Sequence, residues 1–263
     1  MTVDRGSSAL DLHEIGVRFG GIAALDGASL QVRQGEICGL IGANGAGKTT
    51  LFDVISGVRR PDLGRVRLAG VDVTSWSAHR RARAGLRRTF QRVQLFGWLT
   101  VEENLLVATE WRGGGGGVLG DLAAVPGRRR REAERRARAD AVLERCGLTD
   151  LRHDPAARLP IGLARLVELG RALVDQPSIL LLDEPASGLD TAEAERFAEV
   201  VRSLRDDEGT SVLLVEHDVG FVMDHCDRVV VLHLGRVLAE GSPASVRNDP
   251  AVREAYLGVG APT

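Results

Sequence analysis

Eight residues, Gly42-Ala43-Asn44-Gly45-Ala46-Gly47-Lys48-Thr49, follow the spacing G-x-x-x-x-G-K-[ST]. Each part of that pattern has a chemical use. Glycines let a backbone wrap closely around phosphate oxygens, and the amide hydrogens of the loop and of the helix that follows stabilise their charge. Lys48 can then reach β- and γ-phosphates, and the hydroxyl of Thr49 can ligate Mg²⁺, with Thr50 next to it on the same turn. A second stretch, Ile179-Leu180-Leu181-Leu182-Asp183-Glu184, ends an apolar run in two carboxylates. A buried strand ending this way sets Asp183 at the carboxyl edge of a sheet, where ligands bind. Asp183 would hold Mg²⁺ through water, and Glu184 would polarise an attacking water. An apolar run before Asp-Glu is common by itself. Joined to the glycine loop, it points to a nucleoside triphosphate and its hydrolysis.

Those groups need a strand before the glycine loop and a helix after it. A short apolar run over 36–41 ends at Gly42, and Leu51, Phe52 and Ile55 fall at helical spacing over 48–56. Upstream, 10–19 and 29–32 read as strands, and 66–68 with 71–73 read as a hairpin around Ala69-Gly70. From residue 179 on, strands at 179–182, 211–215 and 228–232 alternate with helices at 191–205 and from 219. Alternation of this kind predicts a parallel sheet covered by helices. The middle differs. Five consecutive glycines at 113–117 read as a linker, and 128–146 reads as a charged helix with Ala139, Val142, Leu143 and Cys146 on one face. The prediction is one α/β core split by a mostly helical insertion, without an internal repeat.

Composition narrows the classes. The chain has 263 residues, 34 basic and 36 acidic, for a net charge of -2, and only 4% aromatic residues. Neither figure suits a nucleic-acid binder. Three scattered cysteines, Cys38, Cys146 and Cys226, form no CxxC pair and fit a reducing compartment. The first ten residues carry Asp4 and Arg5 and do not read as a signal peptide. The densest apolar runs are too short to span a bilayer, so membrane work would need a second chain.

With the two motifs above in order, the chain resembles the ATP-binding subunits of ABC transporters over nearly its whole length. Further residues carry the likeness. Phe19 stands where the family stacks an aromatic ring on adenine; Gln91, in Thr89-Phe90-Gln91, matches the glutamine that senses Mg²⁺ and the transmembrane partner. Ser187-Gly188-Leu189-Asp190 matches the D-loop, and His217, in Val215-Glu216-His217-Asp218, matches the switch histidine at the γ-phosphate. The resemblance implies a nucleotide-binding P-loop core with a RecA-like parallel sheet, an antiparallel β subdomain and an inserted helical subdomain. It divides the chain at 1–90, 91–165 and 166–263. ATP and Mg²⁺ are the implied cofactors. The nucleotide would contact Phe19, Gly42, Asn44, Gly45, Ala46, Gly47, Lys48, Thr49 and Thr50, with Gly162 and Asp190 covering the site of a second subunit. Thr49, Gln91 and Asp183 would serve the metal; Glu184, His217 and Gln91 the hydrolysis.

The family signature LSGGQ is altered. The aligned residues are Leu159-Pro160-Ile161-Gly162-Leu163, so a proline stands for the serine and a leucine for the glutamine. A helix still reads over 163–173, and its N-terminus keeps a partial positive charge. Within the family, 88–96, 99–105 and the tail from 241 are similar to the branched-chain amino acid importer ATPases. The implied partners are transmembrane permease subunits, a second ATPase subunit bound head to tail and, indirectly, a substrate-binding protein, at the cytoplasmic face of the membrane. Related ATPases for urea, short amides or lipopolysaccharide or lipid export, and a non-transport P-loop ATPase, remain the alternatives. A GTPase lacks support because no NKxD motif is present. Arg80, Arg81, Arg83, Arg87 and Arg88 read equally as a solvated helix or as a surface near the membrane partner. The basic run at 128–138, interleaved with Glu132 and Glu134, reads as a solvated face.

Overall fold

A computed structural model describes residues 7–109 and 126–257. The glycine run at 113–117 lies outside the described residues. Contacts divide the chain into two units. The first takes residues up to Gln91, Pro177–Ser187 and the chain from Val201 on; the second takes Arg92–Gln176 and Gly188–Val200.

Two sheets make the first unit. An antiparallel sheet has the order β2 (Ile22–Arg33), β1 (Ser8–Phe19), β4 (Leu63–Leu68), β5 (Val71–Asp72). The other has the order β10 (Arg236–Gly241), β9 (Arg228–His233), β3 (Ile37–Ile41), β8 (Ser211–Val215), β7 (Ile179–Asp183), β6 (Leu86–Arg88). From β9 to β6 neighbours run parallel, and only β10 is antiparallel. Parallel neighbours need crossovers, which cover both faces. Accordingly, every residue of β3, β7 and β8 is buried. Helix α1 (Lys48–Ser56) lays Leu51, Phe52 and Ile55 into a core shared with Leu10, Ile15, Leu40, Leu181, Leu213 and Val230. At the entry to β3, Glu36 pairs with Arg228 of β9 at 2.8 and 3.1 Å. Burial pushes the Glu36 carboxyl up, but Arg228 together with the Arg33 N–H outweighs it and leaves it below the ordinary value.

The second unit is helical. It holds α3 (Val101–Ala108), α4 (Pro126–Arg145), α5 (Ile161–Leu173) and the beginning of α6 (Thr191–Glu208). A reciprocal capping box starts α3, with Thr100 and Glu103 each satisfying the other's backbone amide. Buried Asn104 then fastens the preceding loop, accepting from Phe96 N and donating to Phe96 O and Thr100 O. On α4, Arg130 and Arg136 pair with Glu134 and Glu132 on an exposed face.

Three differences from the sequence reading have physical causes. The expected division after residue 165 falls inside α5, which is one continuous helix; the chain leaves the second unit only after Gln176. Strand β6, Leu86-Arg87-Arg88, has no apolar run and forms because β7 offers a parallel ladder. The arginines before Gln91 are not one solvated helix. Arg80, Arg81 and Arg83 lie on α2 (Ala78–Arg83), Arg88 ends β6, and Arg81 is fully buried. Its guanidinium donates to Val54 O, Ile55 O and Thr74 O, so it closes the C-terminal end of α1. Burial lowers its pKa to about 10.

A cleft between the glycine loop and β7

The loop between β3 and α1 needs its glycines for space. Gly47 has φ 105°, a left-handed conformation, and a Cβ there would come within 2.5 Å of Ala24 O. At Gly42 a Cβ would collide with Leu232 O. Ala46 is buried and closes the turn, with its N donating to Ala43 O at 3.1 Å and its O accepting from Gly235 N at 2.9 Å. Helix α1 starts at Lys48 without a side-chain cap, so its first amides are available to an anion. Lys48 is buried, and its Nζ donates to Gly42 O at 2.6 Å and Ala43 O at 3.1 Å. Burial lowers its pKa, partly offset by Glu184 and Asp183.

Opposite the loop, β7 ends at Asp183 and the chain turns sharply. Glu184 has φ 51°, a conformation costing on the order of 1–3 kcal/mol for a residue with a side chain. Its N donates to Val215 O at 2.9 Å, which holds the turn against the end of β8. The Glu184 carboxylate is mostly buried and sits between two groups. Gln91 Nε2 donates to Oε2 at 2.8 Å, and His217 Nε2 lies 2.5 Å from Oε1. These residues line one cleft with Ala24, Asn44, Gly45, Gly47, Lys48, Thr49, Thr50 and Val215. The arrangement can take a triphosphate along the loop and hold a water against Glu184.

A family profile described as ABC transporter matches residues 25–187, and one described as branched-chain amino acid ATP-binding cassette transporter matches residues 236–262. The chain belongs to the ABC transporter family. It is 41% identical over 249 residues to the high-affinity branched-chain amino acid transport ATP-binding protein LivG of Salmonella typhimurium, spanning 95% of this chain and 97% of that protein. Identity to the corresponding protein BraF of Pseudomonas aeruginosa is 39% over 249 residues, with the same coverage. The crystal structure of an ATP-binding cassette of an ABC transporter in its ADP conformation superposes with a TM-score of 0.82 at 32% identity, covering 95% of this chain and 99% of that one. The chain is thus an ABC ATPase, with the mixed α/β nucleotide-binding fold of that family.

The remaining expected residues of this ABC ATPase lie outside the cleft lining. Phe19, at the end of β1, is half exposed, and the Arg59 guanidinium stacks 3.9 Å from its ring centre. Asp183 is buried behind the lining; its Oδ2 accepts from Arg88 Nη2 at 2.9 Å. Gly162 and Asp190 belong to the second unit. There, Asp190 Oδ1 accepts from Glu193 N at 2.8 Å, and Glu193 Oε2 accepts from Asp190 N at 3.1 Å. The same Glu193 carboxylate packs against Gly162, leaving no space for a Cβ. Helix α5 begins after Pro160 with no side-chain cap.

Among the described residues, no group of three or more His, Cys, Asp or Glu could hold a metal by itself. The candidate donors are a hydroxyl, an amide and a carboxylate, all hard oxygens and few in number. That set suits Mg²⁺, which keeps several waters and takes phosphate oxygens as ligands. All three cysteines are buried, with thiols pushed up by burial, and take no part in the site.

Two buried groups were not assigned from the sequence. Glu216 accepts Ala186 N–H at 2.6 Å and His217 N–H at 3.1 Å, so one carboxylate ties the segment after Glu184 to the histidine. Burial raises its pKa. Arg88 is the second. An acid beside the histidine was a visible signal for Glu216; nothing local distinguishes Arg88 from Arg87.

Proposed function

We propose that this ABC ATPase powers the import of branched-chain or similar hydrophobic amino acids through separate transmembrane subunits. Sequence likeness to LivG and BraF along nearly the whole chain, and the branched-chain profile at 236–262, support the substrate class. Among the described residues no helix is long and apolar enough to cross a membrane, which agrees with peripheral docking at the cytoplasmic face onto a permease fed by a substrate-binding protein.

The observation that carries the hydrolytic reading is the Glu184 carboxylate, held between Gln91 and His217 at the mouth of the glycine loop. In this reading the loop amides of Gly45, Ala46 and Gly47, with Lys48, bind the β- and γ-phosphates; Gly42, Asn44 and Thr50 shape the cradle. Phe19 stacks on the adenine. Glu184 accepts a proton from the attacking water, His217 faces the γ-phosphate, and Gln91 orients the water and reports the state of the site. Thr49, Asp183 and Gln91 would hold Mg²⁺, which neutralises charge that develops on the phosphates. Two subunits meet head to tail, so Gly162 and Asp190 of each cover the nucleotide of the other. Tighter binding of ATP to the closed pair drives closure, and hydrolysis reopens it.

Two measurements test the proposal. Glu184→Gln should retain ATP binding and lose turnover; wild-type turnover in that variant would remove the assigned role. Uptake of labelled leucine, isoleucine and valine, with urea alongside, is then measured in source cells carrying Lys48→Ala. Selective loss of the three amino acids is expected. Loss of urea uptake alone would overturn the substrate class and leave the ATPase standing.

A further inference from the structure

Three elements that carry separate parts of the nucleotide site meet at one buried cation. Arg88 ends β6, and its side chain is only 8% exposed. Nη1 donates to Asp53 Oδ1 at 2.6 Å and to Ser56 Oγ at 3.2 Å, both on α1. Nη2 donates to Asp183 Oδ2 at 2.9 Å, at the end of β7. The rings of Phe52 and Phe90 flank the guanidinium at 5.5 and 5.3 Å and limit its access to water. Three residues beyond Arg88, Gln91 reaches Glu184.

The helical spacing gives this contact its consequence. Thr49, Asp53 and Ser56 stand at i, i+4 and i+7, on one face of α1. Arg88 therefore fixes the face that carries the Thr49 hydroxyl relative to the Asp183 carboxylate. It also holds Oδ2 of Asp183, which restrains the carboxylate that would serve the metal. Arginine suits this place because its planar fork holds two carboxylates at once, which a lysine point charge does not.

We propose that Arg88 is the positioning residue for the metal-holding pair, Thr49 and Asp183, and sets the affinity of the nucleotide site for Mg²⁺. The inference rests on the reading of Thr49 and Asp183 as the groups that serve the metal. Arg88 acts through Asp183 and, by way of Asp53 on α1, through Thr49. Its role is that of an outer partner which orients a metal-serving carboxylate, and loss of such a partner typically weakens metal affinity or activity about 10- to 100-fold.

The test uses the full-length chain and the β,γ-imido analogue of ATP, with thermal unfolding as the readout. The analogue's stabilisation is measured in EDTA and then as free Mg²⁺ is raised. Two variants alter the strut. Arg88→Lys keeps the charge and loses the fork. Asp53→Asn releases α1 and is tolerable because Asp53 is a third exposed. Both should keep the stabilisation seen in EDTA and need about tenfold more Mg²⁺ for half-maximal further gain. ATPase kcat should fall in both, with KM for ATP within about twofold. Asp183→Asn should raise the Mg²⁺ requirement at least as much, and adding Arg88→Lys to it should raise it by less than Arg88→Lys does alone, because the Asp183 arm of the strut is already lost and only the arm to α1 remains. An unchanged Mg²⁺ requirement in both strut variants, with a raised one in Asp183→Asn, would overturn the role of Arg88 alone. An unchanged requirement in Asp183→Asn would overturn the metal reading beneath it. Equal loss of stabilisation with and without Mg²⁺ would make Arg88 a brace of the fold and overturn the proposal.

Discussion

Helices α1 and α5 both begin without a side-chain cap, yet their N-termini are built for different surroundings. At α1, Gly47 in a left-handed conformation turns the chain tightly under Ala24 O, and Lys48 lies folded against its own loop. The other end of α1 is closed by Arg81, which donates to three backbone carbonyls, and its middle is tied to Arg88 through Asp53. At α5, Pro160 supplies no cap, and the carboxylate that packs on Gly162 comes from Glu193 of the same unit. A helix dipole offers an anion the same partial charge at either place. What differs is how rigidly the helix is held. Helix α1 is fixed at its end and side before any ligand arrives. At α5 the neighbour is a side chain, Glu193, which yields by giving up its bond to Asp190 N.

Five substitutions, one of them repeated in a Glu193→Ala background, break or sharpen that contrast. The largest effect is expected for Lys48→Ala, which should lower ATPase kcat on the order of 100- to 1000-fold by removing a cation aimed at developing phosphate charge. Steady-state kinetics at saturating ATP checks it. Arg81→Met comes next. It removes the side-chain donor of three carbonyls, those of Val54 and Ile55 buried, and should cost about 3 kcal/mol in urea unfolding. If Arg81→Met unfolds like the wild type, the rigid closure of α1 does not matter to stability. Matched alanines compare the two N-termini directly. Gly47→Ala sets a methyl against a backbone oxygen at positive φ and should cost about 2 kcal/mol or more. Gly162→Ala meets the Glu193 side chain from Oε1 to Cγ and no backbone, and should cost about 1 kcal/mol through the lost bond to Asp190 N, with part of the clash removed when Glu193→Ala is added. Equal costs would erase the distinction between a fixed and a yielding start. The smallest effect belongs to Pro160→Ser. Pro160 already has extended φ and ψ of -55° and 158°, so a serine can cap α5 there and should add about 1 kcal/mol. A gain of about 2 °C in thermal unfolding is the expected signal.

Much of the first unit was legible because its signals are local. The loop over 42–49 carries its chemistry within eight residues, and α1, β7 and β8 show their apolar spacing over five to nine. Most element ends moved little: β8 stands at Ser211–Val215, as read, and α6 runs on to Glu208 beyond the expected 205, whereas β2 starts at Ile22 instead of 29. Weakly patterned pieces were not legible. Strand β6 has three residues with two arginines, and β10 alternates without a buried face. Arg81 and Arg88 were misread along with their exposed neighbours Arg80 and Arg83 because five basic residues in nine positions look solvated. Burial of Arg81 depends on carbonyls that α1 supplies from 26 and 27 residues away.

The sequence by itself determined that this chain has a glycine loop able to cradle phosphates, a strand ending in Asp183-Glu184, and Gln91 and His217 available in the order of an ABC ATPase. Those properties are set by backbone conformations and apolar periods that short segments express alone. Only the tertiary structure decided that Glu184 stands between Gln91 and His217, and that Arg88 joins Asp53 to Asp183 across separations of 35 and 95 residues. Which charges meet in a buried site follows from strand order and from the cost of burying a charge unpaired, and neither is written in the residues next to it.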